Sequence, residues 1–456
     1  MRVVLLAISG TNDGVVITSA APAGTVTEDA NSTASASDSL VATGVVTFSD
    51  LDVNDTHTAS FSGNPQYGTF VLGALTDTVN GLGGSQGYTY TLNNDSAAVQ
   101  ALGEGDTLTE LFTVSIADGR GSTQSQVVTI TVSGTNDLLS LAAVTAPAAV
   151  NEAVNATAQD IAAINGSLQI TDIDVGDVLT ASAAAPVYAL DGVATLAAGL
   201  PSGVAAALDA LTLASGSVTT NGGTANLGYT YNPAVTNLDF LRAGQQLTVS
   251  YDVTLANAAA AGDSVTRTIT FTIIGTNDRP VVTTSPDAVT VAEFNTGDLG
   301  AMTLQGSLTA TDADLGDTLT YTVSGSVAGF SLNSATGAYT FDASNAAYQS
   351  LAVGQQTVLV IPYTVTDTAG ASTPATLTIT VTGTNDAPVA QAVTGAIGED
   401  QMLSGRLIGT DVDQGAVLTY SILGTPPAGL TLNASDGSYT FNAADAAYQG
   451  MRQGEP

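Results

Sequence analysis

Thr376-Leu377-Thr378-Ile379-Thr380-Val381-Thr382-Gly383-Thr384-Asn385-Asp386 alternates threonine with Leu377, Ile379 and Val381, then breaks at a glycine and three polar residues. Alternation of period two is that of a half-buried strand, and Gly-Thr-Asn-Asp supplies the turn that ends it. The tetrapeptide also stands at residues 10–13, 134–137 and 275–278, the second copy preceded by Val127, Thr129, Ile130, Thr131 and Val132. A mark returning at domain-sized intervals identifies a tandem array whose function resides in its repeats and their junctions. It divides the chain into residues 1–13, the last strand and linker of a preceding repeat; repeats at 14–137, 138–278 and 279–386; and a truncated fourth repeat at 387–456. Each complete span is long enough for an independent β-sandwich.

Three further landmarks fix the register. An acidic cluster follows each linker: Asp50-Leu51-Asp52-Val53-Asn54-Asp55, Asp172-Ile173-Asp174-Val175-Gly176-Asp177, Asp312-Ala313-Asp314-Leu315-Gly316-Asp317, and Asp411-Val412-Asp413-Gln414-Gly415-Ala416, which has lost its third carboxylate. A lone glutamate stands in or near the first strand of each repeat, at Glu28, Glu152, Glu293 and Glu399. A late aspartate precedes the final strand at Asp118 and Asp367, with Asp252 the candidate in the second repeat. Residues 447–456 match residues 347–356 and then stop, so the fourth repeat lacks its final strands.

With 41 acidic residues against 7 arginines, no lysine and one histidine, the formal charge is −34. A surface of that sign repels nucleic acid and anionic membranes. The absence of cysteine excludes disulfides, thiolate zinc sites and cysteine nucleophiles. The absence of lysine excludes phosphate-loop and Schiff-base chemistry as well as lysine–asparagine isopeptide crosslinks. Apolar content of 44% with strand periodicity argues against disorder. Arg2 followed by Val3 to Ile8 resembles the start of a secretory signal, but the run is short and the same residues match a repeat strand, the preferred reading. No apolar run reaches the ~20 residues that span a bilayer.

The carboxylates carry the chemistry. Two aspartates one residue apart in an extended segment point the same way, and a loop carboxylate three residues on converges with them on a hard cation. Calcium suits this set, because it takes six to eight oxygens in flexible geometry; magnesium prefers fewer carboxylates, and transition metals want imidazole or thiolate. A single Asp-x-Asp at a strand end is more often a solvated turn. Fourfold recurrence beside a linker Asn-Asp and a glutamate favours the ion, since crowded like charges are unfavourable without one.

The linker followed by Pro280-Val281 after Arg279, or by Ala387-Pro388-Val389, resembles the hallmark of VCBS and related cadherin-like repeats of large bacterial, often RTX-type, surface adhesins. The resemblance covers essentially the whole chain. It implies an all-β fold of tandem Greek-key, cadherin- or immunoglobulin-like sandwiches in a linear array, calcium at the junctions, type I secretion, and a role in adhesion or biofilm formation. Cadherin logic then assigns ligands by position. Asn12 and Asp13 meet Asp50, Asp52 and Asp118. Glu28, Asn136 and Asp137 meet Asp172 and Asp174, with Asp252 the least certain. Glu152, Asn277 and Asp278 meet Asp312, Asp314, Asp317 and Asp367. Glu293, Asn385 and Asp386 meet Asp411 and Asp413. No counterpart of the Asp-Arg-Glu motif of animal cadherins is present, so one or two ions per junction are expected, with occupancy weakest at the fourth repeat.

His57 lies where the other repeats carry Leu179, Leu319 and Leu418, which reads as a structural histidine and not a ligand or base. Paired carboxylates can serve a glycosidase, but fourfold repetition without an aromatic cleft argues against an enzyme. Tyr88 and Tyr90, Tyr229 and Tyr231, Tyr339 and Phe341, and Tyr439 and Phe441 read as core aromatics, and the chain has no tryptophan for sugar stacking. Insertions in repeats 1 and 2, including residues 193–214, are candidate ligand loops. The principal reading is a calcium-rigidified extracellular spacer whose partners are calcium and neighbouring repeats. The alternative is a calcium-dependent module binding cell-surface or matrix polysaccharide, which exposed tyrosines would favour.

A sandwich without its closing strands leaves apolar faces and edges open. Limited proteolysis is therefore expected to degrade residues 387–456 before residues 279–386, and equal resistance would contradict the reading.

Overall fold

The computed structural model describes residues 2–32, 39–155, 161–195, 197–233, 237–284, 288–294, 303–452 and 454; Leu196, Gln453, Glu455 and Pro456 of the segments named above lie outside them. It divides into two compact units, one of Met1–Leu238 with Gln245–Ile274, the other of Asp239–Gly244 with Gly275–Pro456.

The first repeat contains β1 (Val16–Ile17), β2 (Ala23–Thr27), β3 (Val41–Ser49), β4 (Thr58–Ser62), β5 (Gly68–Thr76), β6 (Gly84–Leu92), β7 (Thr107–Ala117) and β8 (Thr123–Ser133). They form two four-stranded sheets, ordered β1-β3-β6-β5 and β2-β8-β7-β4. The entering chain pairs with one sheet through β1 and then crosses to the other, where β2 runs parallel to β8 with Ala23 opposite Thr129. All other pairs are antiparallel, which gives a Greek-key sandwich. The alternation read in the sequence fills the space between the sheets. Val128, Ile130 and Val132 of β8 and Phe112, Val114 and Ile116 of β7 pack against Val46, Phe48, Phe70 and Tyr90. Each such side chain contributes about 1.5–3 kcal/mol by leaving water.

The second repeat follows the same plan. Val150–Asn151 runs parallel to Ser264–Ile274, whose antiparallel partner is Gln246–Asn257, and Gly223–Tyr231 with Ile164–Asp172 builds the facing sheet. Tyr231 stacks on Phe271 with centroids 4.1 Å apart. The insertion in residues 193–214 closes one side with the helix Val204–Leu208, which Tyr188 and Tyr251 hold by donating to Ala205 O (2.7 Å) and Leu208 O (2.8 Å). Val204 and Leu208 of this helix are buried against the core.

In the third repeat Val289–Ala292, Ser372–Thr382, Gln356–Thr366 and Thr320–Val323 form one sheet, Leu304–Ser307, Ala338–Phe341 and Phe330–Leu332 a second, and Val281–Thr284 pairs with Thr309–Thr311. After Asp386 the described residues form only Val389–Ala390 with Gly409–Thr410, and Met402–Arg406 with Ser438–Asn442 and Leu430–Leu432. Tyr439 and Phe441 are accordingly half-buried, whereas Tyr88, Tyr90, Tyr229, Tyr231, Tyr339 and Phe341 are buried. Residues 2–13 form no strand, and Val3, Leu5 and Ile8 are exposed, contrary to their strand-like pattern. Alternation alone does not make a strand where no neighbouring strand supplies hydrogen bonds.

One cross-strand pair recurs in all four repeats: Gly44 opposite Tyr88, Gly166 opposite Tyr229, Gly306 opposite Tyr339 and Gly405 opposite Tyr439. The tyrosine ring lies over the glycine so closely that a Cβ at Gly166 would stand 2.2 Å from Tyr229 Oη. Gly166→Val therefore has to expel that ring and is expected to cost on the order of 2–3 kcal/mol, read as a lowered melting temperature of the full chain.

Candidate metal centres at the repeat seams

Each linker is held by the same short code of hydrogen bonds. The amide of its aspartate donates to Oδ2 of the second aspartate of the acidic cluster: Asp13 to Asp52 (2.7 Å), Asp137 to Asp174 (2.9 Å), Asp278 to Asp314 (3.1 Å) and Asp386 to Asp413 (3.0 Å). That second aspartate in turn donates its amide to Oδ1 of the first: Asp52 to Asp50, Asp174 to Asp172, Asp314 to Asp312 and Asp413 to Asp411, at 2.9–3.2 Å. The carboxylates therefore converge through an Asx turn just past the strand, not through the extended segment expected from the sequence.

A second contact uses no side chains. Val175 N donates to Ala101 O, Leu315 N to Phe240 O and Gln414 N to Ser350 O, at 3.0–3.1 Å. In each case the residue within the acidic loop is tied to the loop that precedes the final hairpin of the repeat before it.

Around these turns, among the described residues, carboxylates crowd into four groups with ligand atoms within 4.8 Å of one another: Asp50, Asp55 and Asp118; Asp172, Asp174 and Asp177; Asp312, Asp314 and Asp317; and Glu293, Asp386 and Asp413. The glutamates anchor the linker threonine. Thr135 N donates to Glu28 Oε1 (3.0 Å) and Thr384 N to Glu293 Oε1 (2.9 Å). Glu28 is fully buried and also accepts from Gln100 Nε2 (3.1 Å), while Asp137 accepts from Asn31 N. Glu152 is buried in the first unit, its amide bonded to Ile274 O (3.1 Å). Glu399 is exposed, unlike the other three landmark glutamates.

The linker asparagines reach the late carboxylates. Asn12 Nδ2 donates to Asp118 Oδ2 (2.9 Å) and Asn277 Nδ2 to Asp367 Oδ2 (3.0 Å). The second repeat departs from this. Asp252 sits exposed on its strand and accepts from Thr268 Oγ1 (2.5 Å), away from the seam. Asn257 takes the place of Asp118 and Asp367 at the strand end, donating to Asn136 Oδ1 (2.8 Å) and to Asp177. The displaced charge returns from the other arm of the hairpin as buried Asp263, which accepts from Asn136 Nδ2 (3.4 Å) and Leu139 N (3.3 Å). Asn385 donates instead to Asp386 O (2.7 Å), and the carboxylate of Asp13 is exposed.

Burial without compensating charge sets the electrostatics. Desolvation, with Asp137 and Asp174 adding repulsion, pushes Glu28 up to about 8. Burial raises Asp174 to about 7, and Asp172 and Asp314 to about 6, with neighbouring carboxylates adding to each. Glu293, Asp137 and Asp312 are raised mainly by burial. Several oxygens accept no hydrogen bond at all: Asp137 Oδ2, Asp172 Oδ2, Asp174 Oδ1, Glu293 Oε2, Asp312 Oδ2, Asp314 Oδ1 and Asp413 Oδ1. Buried anionic oxygens lacking donors are costly. A hard divalent cation satisfies them, so these residues fit calcium.

His57 is buried as its alignment with leucines implies, but its ring is not idle: Nδ1 faces Asp77 Oδ1 (2.6 Å) and Nε2 faces Asp50 Oδ2 (3.2 Å). Sequence reading also passed over Arg120, Gln100, Asn31, Asn257 and Asp263. Of these, only the Arg120 position, two residues past the late aspartate, was recoverable by alignment.

Residues 277–383 match the bacterial cadherin-like domain and residues 385–453 the bacterial Ig domain. The two matches together span residues 277–453, consistent with tandem extracellular repeats of a bacterial surface adhesin. Among solved structures, protocadherin gammaB7 EC3-6 aligns with TM-score 0.37 and 12% identity over 94% of this chain and 92% of that one. The protocadherin gammaB4 extracellular domain gives 0.35 and 17% over 96% of this chain and 63% of that one. Mouse cadherin-23 EC22-24 gives 0.33 and 15% over 82% and 99%. No curated protein sequence matches the chain. Among the described residues no helix is long and apolar enough to cross a membrane.

In chelator, the raised carboxylates set a pH dependence. A group whose folded pKa lies above its unfolded value contributes stability at low pH and loses it as pH rises through the folded value. With Glu28 moving from 4.5 to about 8 and Asp174 from 3.8 to about 7, the urea midpoint is expected to fall between about pH 4 and pH 8. Asp174→Asn should flatten that slope.

Proposed function

We propose that the chain is a calcium-rigidified spacer of a bacterial surface adhesin, which extends a distal adhesive domain from the cell in cell adhesion or biofilm formation. The observation that carries this reading is the set of buried carboxylate oxygens at the seams that no hydrogen-bond donor reaches. Asp172, Asp174 and Asp177 with Glu28 and Asp137 would hold the ion beside one linker. Asp312, Asp314 and Asp317 with Asp278 and Asp367 would do so at the next, and Glu293, Asp386 and Asp413 at the last. The ion supplies positive charge where the linker turns. The chain's own residues do the rest: the linker amides orient the Asp-x-Asp pair, the glutamate fixes the linker threonine, and the asparagine reaches toward the late carboxylate. Export by a type I system and VCBS character accompany this reading through the sequence resemblance.

The polysaccharide alternative called for exposed aromatics. In the three complete repeats the aromatic pairs are buried, which supports the spacer. Calcium at a hundred times its dissociation constant stabilises a binding-competent native state by about 2.7 kcal/mol per site. Solution scattering and thermal melting in calcium and then in chelator test the reading. Chelation should free the joints, shortening the average maximum dimension of the particle, and lower the melting temperature, and Asp174→Asn with Asp314→Asn should reduce the calcium response. Identical dimensions and melting temperatures in both solutions would overturn it.

A further inference from the structure

The first acidic group differs chemically from the other three. Asp50 Oδ2, the counterpart of the donor-less oxygens of Asp172 and Asp312, faces His57 Nε2 at 3.2 Å. Asp55 Oδ1 lies 2.5 Å from Arg120 Nε. Asp118 is equally occupied, with Asn12 Nδ2 on Oδ2 and the amides of Arg120 and Ser122 on Oδ1. In this group only Asp55 Oδ2 is buried without a donor.

Both residues are particular to this repeat. The position of His57 is leucine in the other three, and the position of Arg120 is alanine at Ala259 and Ala369. Asp77 at the far ring nitrogen (2.6 Å) leaves the imidazole between two carboxylates, a geometry in which both nitrogens donate. Arg242 in the second unit offers a partial parallel. Its Nε donates to Leu315 O (2.6 Å) and stands 3.5 Å from Asp317 Oδ1, while Asp312 Oδ2 and Asp314 Oδ1 keep no donor. Arginine beside the third carboxylate alone therefore leaves the Asp-x-Asp pair in need of a cation; histidine on the first aspartate removes that need.

We propose that the His57 ring and the Arg120 guanidinium are resident donors that hold the linker at residues 10–13 on the first repeat without a divalent ion, making this the one calcium-independent seam among the four acidic groups of the described residues. The inference rests on the spacer reading for the other three. A divalent ion approaching this group meets two donors already seated on the oxygens it would need, and a fixed guanidinium charge that repels it.

Calorimetric titration of the full chain with calcium chloride tests this, using wild type and the double variant His57→Leu/Arg120→Ala, which installs residues the other repeats already carry. The double variant should bind at least one calcium more than wild type. In parallel, amide exchange of wild type in chelator should accelerate at Asp137 by on the order of tenfold while Asp13 changes by less than about twofold. The double variant should make Asp13 calcium-sensitive as well. An unchanged stoichiometry in the double variant, or an Asp13 amide in wild type as calcium-sensitive as Asp137, overturns the proposal. Failure of the spacer reading is separately visible, since wild type would then bind no calcium and neither amide would respond. The variant's melting temperature in chelator shows whether it is folded, and the wild-type exchange comparison stands without it.

Discussion

Like charges forced together at each linker are the constraint around which the repeats are organised. Hydrophobic burial builds each sandwich from its own strands, and nothing in that core demands a partner. The seams do. There, carboxylates within 4.8 Å of one another are withdrawn from water, and part of their oxygen surface has no donor. In bulk solution two such charges at 4 Å repel by only about 1 kcal/mol, but removal from water multiplies that severalfold. The linker amides offset some of this repulsion by donating to one oxygen of each second aspartate. What they leave unsatisfied is of one sign and one chemistry.

The same constraint admits different local solutions. The second repeat moves its late carboxylate from the strand end to the opposite arm of the hairpin, with Asn257 in the old place and Asp263 in the new. The first repeat brings in basic side chains. The fourth group draws on Glu293 and the linker's own Asp386 where the third loop carboxylate has become Ala416. Different residues in different elements thus meet a similar electrostatic requirement.

The array, the sandwich and the identity of most seam residues were legible in the sequence because they rest on short-range regularities. Period-two alternation fixes which strand face is buried, and Gly-Thr-Asn-Asp fixes the register between repeats. Three-dimensional coincidence was not legible. Asp252 looked like the late aspartate because it lies near the end of an apolar run, but hairpin length decides which residue reaches the seam, and there the residue is Asn257. The pairing of His57 with Asp77 depends on a turn beyond β5 that carries no periodic signal. The Asp-x-Asp convergence was anticipated in outcome and misread in cause, since an Asx turn and a strand end give the same spacing of letters. The strand expected at residues 2–13 failed for a related reason: local pattern proposes a strand, and neighbouring backbone makes one.

The backbone tether from the acidic loop to the loop before each final hairpin involves alanine, phenylalanine and serine as acceptors, and valine, leucine and glutamine as donors. Because it draws only on peptide groups, it imposes no identity on the residues that form it. Substitution at these positions, short of proline at the donor, leaves the attachment intact, so repeats can drift apart in sequence, or be duplicated and reordered, and still be joined in the same way. Interchangeability of parts is thereby built into the main chain, leaving side chains free to set how each joint responds to its surroundings.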